Sequence, residues 1–431
     1  MRLTRPLSYL IVTIAVILLF EGLSYIVCLW LQGKGILYAP HITESYSSYK
    51  SRLNPMLGWP SQSSFGQHDR DKTGSRVIPA FPDPDTDRAC VSLYGDSFIW
   101  GDEVDNAHAW SNVLSQLLHC RVANYGVGGY GTDQAYLRFH YKRPDPASIV
   151  ILGFSSDNIT RNINQLRNLI LPSPQCALKP RFILNPQGQL ELVDIPELTE
   201  EAYGELSQTP ERYLKHEFFS PGGLSGSQRT RFPYTLTVIK ILKPLLQKGL
   251  AFEPRYTAFY RPDHPSGALA VTTAILARFH HEAREAGKSP LVVIIPIGPD
   301  LAHYRKVHQW FYQPVIDNLE RNHVAYLNVG PALLEYLGTR DHRELFNQAG
   351  HLNNEGYEVL AKIVFRYLVS QDLITPKKSD GTHGSSLRAA PKFNQRWRQN
   401  CPREKLLSEN IRLQRKTLLL FGPTGRSSPA G

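Results

Sequence analysis

Five short apolar runs, each halting at a glycine, a proline or a polar residue, constrain this chain more than any other feature. They are Val91-Ser-Leu-Tyr94, Arg121-Val-Ala-Asn-Tyr125, Ser148-Ile-Val-Ile-Leu-Gly153, Leu291-Val-Val-Ile-Ile295 and Val324-Ala-Tyr-Leu-Asn328. Runs this short and this rich in β-branched residues read as strands, and strands apolar on both faces belong in a parallel sheet covered by helices. Helix-period stretches alternate with them: one through Trp110–Leu118, then Thr132–Tyr141, Ala268–Gly287, Ala302–Asn322, Pro331–Leu337 and Asn354–Leu368. The alternation predicts an α/β fold with five parallel strands and helices on both faces. It breaks between about residues 171 and 265, too long a departure for an ordinary loop. That insertion, with a hairpin Arg181–Leu184/Leu190–Val193 and a helix Tyr234–Lys248, is expected to cap the site and shape substrate choice.

The rest of the chain divides around this domain, which runs from 88 to 374. Residues 1–31 hold a nearly continuous apolar stretch, Leu7 to Leu31, long enough for the ~20 residues that cross a bilayer. Arg2 and Arg5 precede it, so the reading is an uncleaved anchor with a cytoplasmic N-terminus and an exported domain. Glu21 lies inside the stretch; a partner helix or a tolerated protonated residue would explain it, and the second is the simpler expectation. Residues 32–87, rich in Ser, Pro, Gly and Tyr, read as a linker. From 375 to 431, twelve Lys/Arg face three Asp/Glu, which accounts for nine of the formal net charge of +10. This tail reads as a disordered basic appendage, and the folded body is near neutral. No zinc spacing or aromatic–basic pattern points to nucleic acid. The five cysteines lack Cys-x-x-Cys spacing, so metal or redox chemistry is not expected. Cys90 and Cys120 each open a strand and, if the strands are neighbours, export permits a disulfide, but two separate buried thiols are the preferred expectation.

Ligands in open α/β sheets sit beyond the carboxyl ends of the strands. Three strand ends and one late turn carry acyl-transfer chemistry there. Ser97, in Gly95-Asp-Ser97, offers a hydroxyl and its own backbone N–H near a helix start. Gly126, Gly128, Gly129 and Gly131 let backbone N–H groups approach a ligand. Asn158 offers a neutral amide, and His351, opening the final helix, is the base candidate. The formal match of Gly126-x-Gly128-x-x-Gly131 to a dinucleotide fingerprint is weak: it follows the second strand and no acidic ribose partner ends the next.

In this order the pieces resemble the SGNH/GDSL hydrolase superfamily. The matching segments are Gly95-Asp-Ser97, Asn124-Tyr-Gly-Val-Gly-Gly129 with Tyr-Gly-Thr-Asp-Gln134 behind it, the surroundings of Asp157-Asn158, and Gly350-His-Leu-Asn-Asn-Glu-Gly356. The resemblance implies a flavodoxin-like three-layer α/β/α sandwich around a five-stranded parallel sheet, beside the N-terminal transmembrane helix, with no cofactor and no metal. It implies Ser97 as nucleophile, His351 as base, and an oxyanion hole from Ser97, Gly129 and an asparagine, here assigned to Asn158. Two positions depart from the family. Its third block usually reads Gly-x-Asn-Asp, whereas Ser156-Asp157-Asn158 stands here. The aspartate it usually places two or three residues before the histidine is replaced by Gln348 and Ala349, leaving a backbone carbonyl, Asp341 or Glu344 to orient His351.

The expected function is an exported, membrane-anchored serine esterase acting on O-acyl, notably O-acetyl, groups of cell-envelope polysaccharide. Two readings stay beside it. One is a polysaccharide O-acetyltransferase using the same residues, supplied by a membrane acyltransferase partner. The other is a catalytically silent glycan-binding module.

Overall fold

The computed structural model describes residues 5–59, 69–142, 145–250, 254 and 256–375. The basic tail from 376 onward, including a short helix expected at about 405–420, lies outside the described residues.

Strands β1 (Ala89–Tyr94), β2 (Arg121–Asn124), β3 (Ile149–Ser155), β4 (Ser289–Ile295) and β5 (Tyr326–Asn328) form one parallel sheet in the order β2-β1-β3-β4-β5. Leu93 pairs with Ile151 and Phe154 with Ile294, so the longest strands sit at the centre. Every residue of β3 is buried, as a strand covered on both faces requires. Helices α3 (Trp110–Leu118) and α11 (Asn354–Ser370) pack together in one layer. Helices α4 (Thr132–Tyr141), α7 (Ala268–Glu285) and α9 (Gln313–Arg321) form another. The five-stranded α/β sandwich expected from the sequence is thus the observed architecture, with the strand order of a doubly wound fold.

Four expectations change. The predicted helix Ala302–Asn322 is two helices, α8 (Gly298–Val307) and α9, broken at His308, which takes a left-handed conformation. The break lets Trp310 and Tyr312 turn into the core, where their rings stack at 5.2 Å. Residues 32–87 are not a free linker. Arg76 lies against the sheet edge: its N–H donates to Asn124 O, and its guanidinium donates to the carbonyls of Trp100, Gly101 and Val104. Farther back, Leu37–Tyr38 pairs with Gln228–Arg229 of the insertion, and Tyr49 stacks on Tyr203 in a second small core. Third, Cys90 and Cys120 form a disulfide between the starts of neighbouring strands. Fourth, Glu21 has a partner within its own chain. It accepts the N–H groups of Tyr234 (2.6 Å) and Thr235 (3.3 Å), the first residues of α6 (Tyr234–Leu250), which packs beside the N-terminal helix α1 (Arg5–Gly33).

The turn that carries Ser97 is seated by close packing. Helix α2 (Ser97–Trp100) drops Ile99 onto two glycines. A Cβ on Gly153 would stand 2.2 Å from Ile99 Cγ1, and one on Gly95 would meet the same atom at 2.2 Å. No real contact is that short, so Ile99 and the helix carrying Ser97 must shift if either glycine gains a methyl group. Gly153→Ala is therefore expected to destabilise the fold by about 1–3 kcal/mol through overpacking. It should also lower the reactivity of Ser97; denaturant titration beside a covalent-inhibitor rate measures both.

Candidate active site

Asp96 prepares the turn. Its side chain, 1% exposed, caps α2 by accepting Phe98 N–H at 2.9 Å, and its other oxygen takes the Ser155 hydroxyl and the Asn158 amide (3.1 Å) at the end of β3. Asn124, ending β2, donates to Ile99 O at 2.7 Å and accepts Gly126 N–H at 3.0 Å, so one amide ties α2 to the glycine turn. The indole of Trp110 donates to the same Ile99 carbonyl. These bonds leave the N–H of Ser97, at the first helical position, without an acceptor among the described residues. An unspent N–H at a helix start favours developing negative charge.

His351 arrives from 254 positions away, and its Nε2 lies 2.9 Å from Ser97 Oγ. The turn that delivers it closes on itself: His351 N–H donates to Asn347 Oδ1 (3.0 Å) and Asn347 N–H donates to His351 O (2.8 Å). Phe98 packs edge-on against the imidazole with ring centres 5.2 Å apart. The Ser97 hydroxyl therefore sits within hydrogen-bond reach of an imidazole packed against Phe98, the geometry an activated serine requires.

Ser97, Gly129 and His351 share one cavity of about 780 Å³, walled farther out by Ile297, Pro299 and Phe346. Gly129 holds φ at +81°, a backbone state that side chains rarely tolerate, and its N–H has no acceptor among the described residues. Its carbonyl accepts Arg167 Nη1 at 2.7 Å. Asn158 differs from expectation. It is 1% exposed, does not line the cavity, and its amide nitrogen donates to Asp96. The one-residue shift in the Ser156-Asp157-Asn158 block has this result: Asp157 faces the cavity and Asn158 faces the support beneath it.

The missing orienting carboxylate is not replaced by Asp341 or Glu344. Asp341 is bound by Arg343 and caps a short 3-10 turn, while Glu344 accepts the Asp341 N–H and contacts Arg340. The nearest acid to His351 Nδ1 is Glu103, 3.6 Å away, in the loop just after α2. Nδ1 is buried and has no hydrogen-bond partner among the described residues, and Glu103 is the carboxylate that stands 3.6 Å from it. Glu103 is held at φ +67°, a left-handed state costing a non-glycine residue about 1–2 kcal/mol. Backbone strain of this kind is concentrated at functional sites. Asp102 beside it lines the cavity; burial raises its carboxyl above the usual range and the nearby His351 charge pulls it partly back.

Three arginines, Arg161, Arg167 and Arg343, line the same cavity, and Arg343 is paired with Asp341. Arg161 is matched by Asp157 at 2.5 Å. Arg167 forms no ion pair among the described residues, and burial, with the neighbouring Arg161 charge, pushes its guanidinium down to about 9. Glu103, Arg161, Arg167 and Asn347 were not singled out in the sequence. A carboxylate six residues after the nucleophile was the one local signal for Glu103; the arginines sit in a non-periodic stretch that offers none.

No protein-family model and no curated protein matches this sequence. Solved structures do. A protein from Desulfitobacterium hafniense described as lipolytic and of the G-D-S-L family is 13% identical, with 64% of this chain and 97% of that one covered, at a TM-score of 0.29. LAE5, an alpha/beta hydrolase from the metagenome of Lake Arreo, is 12% identical over 67% of this chain and 98% of its own, at 0.35. The acetyl xylan esterase Est2A of Butyrivibrio proteoclasticus is 12% identical, with 66% of this chain and 64% of that one covered, at 0.28.

Two predictions follow from the site. Glu103→Gln should slow covalent modification of Ser97 by about 10–100-fold, short of the ~10⁴ lost with the buried aspartate of a serine-protease triad; Asp341→Asn and Glu344→Gln should leave that rate unchanged. The second concerns Asp300, which accepts the Ser156 hydroxyl (2.5 Å), Tyr256 OH (2.8 Å) and Ile297 N–H (2.9 Å) below the cavity. Burial pushes its carboxyl up to about 6 from an ordinary 3.8. The folded state thus holds this proton more tightly than the unfolded one, so the stability it contributes is full below about pH 4 and is lost as pH rises through 6. Compared with Asp300→Asn, the wild-type chain should lose stability between pH 4 and 6, read by denaturant titration at each pH.

Proposed function

We propose that this protein is an exported, membrane-anchored serine hydrolase that cleaves O-acyl, chiefly O-acetyl, esters on cell-envelope polysaccharide. The observation that carries the reading is the 2.9 Å contact between Ser97 Oγ and His351 Nε2 at a cavity where the N–H groups of Ser97 and Gly129 stand unspent.

The steps follow from these atoms. Ser97 Oγ attacks the ester carbonyl carbon while His351 Nε2 takes the hydroxyl proton. The carbonyl oxygen gains negative charge and is met by the Ser97 and Gly129 N–H groups, each such donor being worth about 10²–10³ in rate. Collapse breaks the bond to the sugar oxygen, which receives the proton from His351. Water then attacks the acyl-serine carbonyl while His351 takes its proton; collapse breaks the bond to Ser97 Oγ, which receives that proton from His351, and the acid leaves. Glu103 steadies the imidazolium that forms twice along this route.

Location and substrate rest on other observations. The 28-residue apolar span Pro6–Gly33 is long enough to cross a bilayer, and the Cys90–Cys120 disulfide suits an oxidising compartment outside the cytoplasm. A shallower groove of about 420 Å³, lined by Glu103, Asn347, Asn353 and Glu355 among others, adjoins the site and offers polar groups to sugar hydroxyls. The Arg167 guanidinium on the cavity wall, which has no carboxylate partner among the described residues, favours a glycan bearing acidic groups. Acetate release from acetylated acidic and neutral polysaccharides tests the reading. Release should be faster on the acidic chain and should fall about 10⁴-fold or more in Ser97→Ala and His351→Ala. Glycan binding without acetate release, unchanged in Ser97→Ala, would make the protein a binding module; acetate appearing on a second glycan would make it a transferase.

A further inference from the structure

The insertion does something other than cap the cavity: among the described residues, none that lines the cavity comes from 171–265. Instead it returns to the N-terminal helix. Gln32, near the end of α1, donates to Thr230 Oγ1 at 3.0 Å. Four residues later the chain has descended along α1 to Glu21, which takes the first N–H groups of α6. Ser24 bonds Thr235 through their hydroxyls (3.0 Å), and the Tyr25 and Tyr234 rings lie 4.8 Å apart. The helix then climbs back, and by Ile241 it is packed with Cys28, Leu31 and Leu37.

Depth follows from helix geometry. Glu21 precedes Gly33 by 12 residues, about 18 Å at 1.5 Å per residue. A hydrocarbon core is about 30 Å thick. With α1 spanning a bilayer, Glu21 lies near its middle and the reversal at Phe232–Thr235 lies with it. A bare carboxylate and the free N–H groups of a helix start are each costly at that depth, and here they satisfy one another. The side of α6 turned away from α1 exposes Leu236, Ile239 and Leu242 at 52%, 55% and 48%, one helical face, with Phe232 at 73% before it. This face continues the exposed apolar surface of α1, where Leu23, Ile26 and Trp30 also point outward. Lys240 stands where its long stem can carry the ammonium toward the rim.

We propose that residues 231–242 form a re-entrant membrane element, its exposed face covered by lipid acyl chains of the leaflet that holds the C-terminal half of α1. The inference rests on the reading of α1 as a membrane span. The catalytic domain is then tied to the bilayer at two points, the anchor and this loop, which fixes its distance from the membrane surface.

Photocrosslinking separates the two claims. The full chain, carrying p-benzoylphenylalanine at Phe232, Ile239, Val16 or Gln187, is reconstituted in phosphatidylcholine vesicles, irradiated, and weighed intact. Val16 is exposed within α1, and Gln187 sits exposed at the tip of the hairpin. The expected result is a mass gain of one phospholipid at positions 16, 232 and 239 and none at 187. A lipid adduct at 16 with none at 232 or 239, a protein–protein crosslink at 239 in place of the lipid, or an equal lipid adduct at 187 would overturn the re-entrant element. No adduct at 16 would overturn the membrane reading of α1, and the inference with it.

Discussion

A single buried carboxylate organises the centre of this molecule. Asp96 ends the turn after β1, caps the helix that begins with Ser97, and reaches across to Ser155 and Asn158 at the end of β3, with Arg161 3.7 Å away. Four groups from two strand ends converge on two oxygens that water does not reach, where charge-assisted hydrogen bonds are stronger than at a surface. The candidate site hangs on that junction. It sets the height of Ser97 above the sheet, leaves the Ser97 N–H without an acceptor among the described residues, and fixes the loop whose Asp157 and Arg161 wall the cavity.

The strands were legible because burial on both faces leaves little but Val, Ile and Leu, and that pattern survives any tertiary context. The meeting of Ser97 and His351 was legible through order and neighbours: a serine closing an early strand and a histidine opening the last helix. Asn158 was misplaced because residue type alone decides nothing about which way an amide points. In a block shifted by one residue, the side chain that faces the cavity is Asp157. The acid beside His351 was invisible for a related reason. A position defined by spacing before the histidine held Gln348 and Ala349, while the carboxylate came from a loop 248 residues earlier, brought there by the fold. Long-range contacts of this kind leave no local periodicity to read.

The stretches that read as connective material turned out to be structural for one physical reason. Polar, proline-rich sequence forms no amphipathic element of its own, yet it can still bury backbone groups against an existing sheet edge. Arg76 does so with four guanidinium hydrogen bonds, to the carbonyls of Trp100, Gly101 and Val104 and to Asn106, besides its own N–H to Asn124 O. The break at His308 belongs to the same class: helix period continued through it, and the aromatic rings of Trp310 and Tyr312 gained more from the core than a continuous helix would have given. Glu21, too, was unreadable alone, since its partner N–H groups lie more than 200 residues away.

The account's central claim is that Ser97 is an activated nucleophile with His351 as its base. Exposing the folded chain to a fluorophosphonate and weighing it intact, with peptide mapping of any adduct, tests this most directly. The account predicts one adduct per chain, mapped to Ser97 and abolished in Ser97→Ala and in His351→Ala. A folded wild-type chain that takes up no reagent, or takes it up equally in His351→Ala, would contradict it.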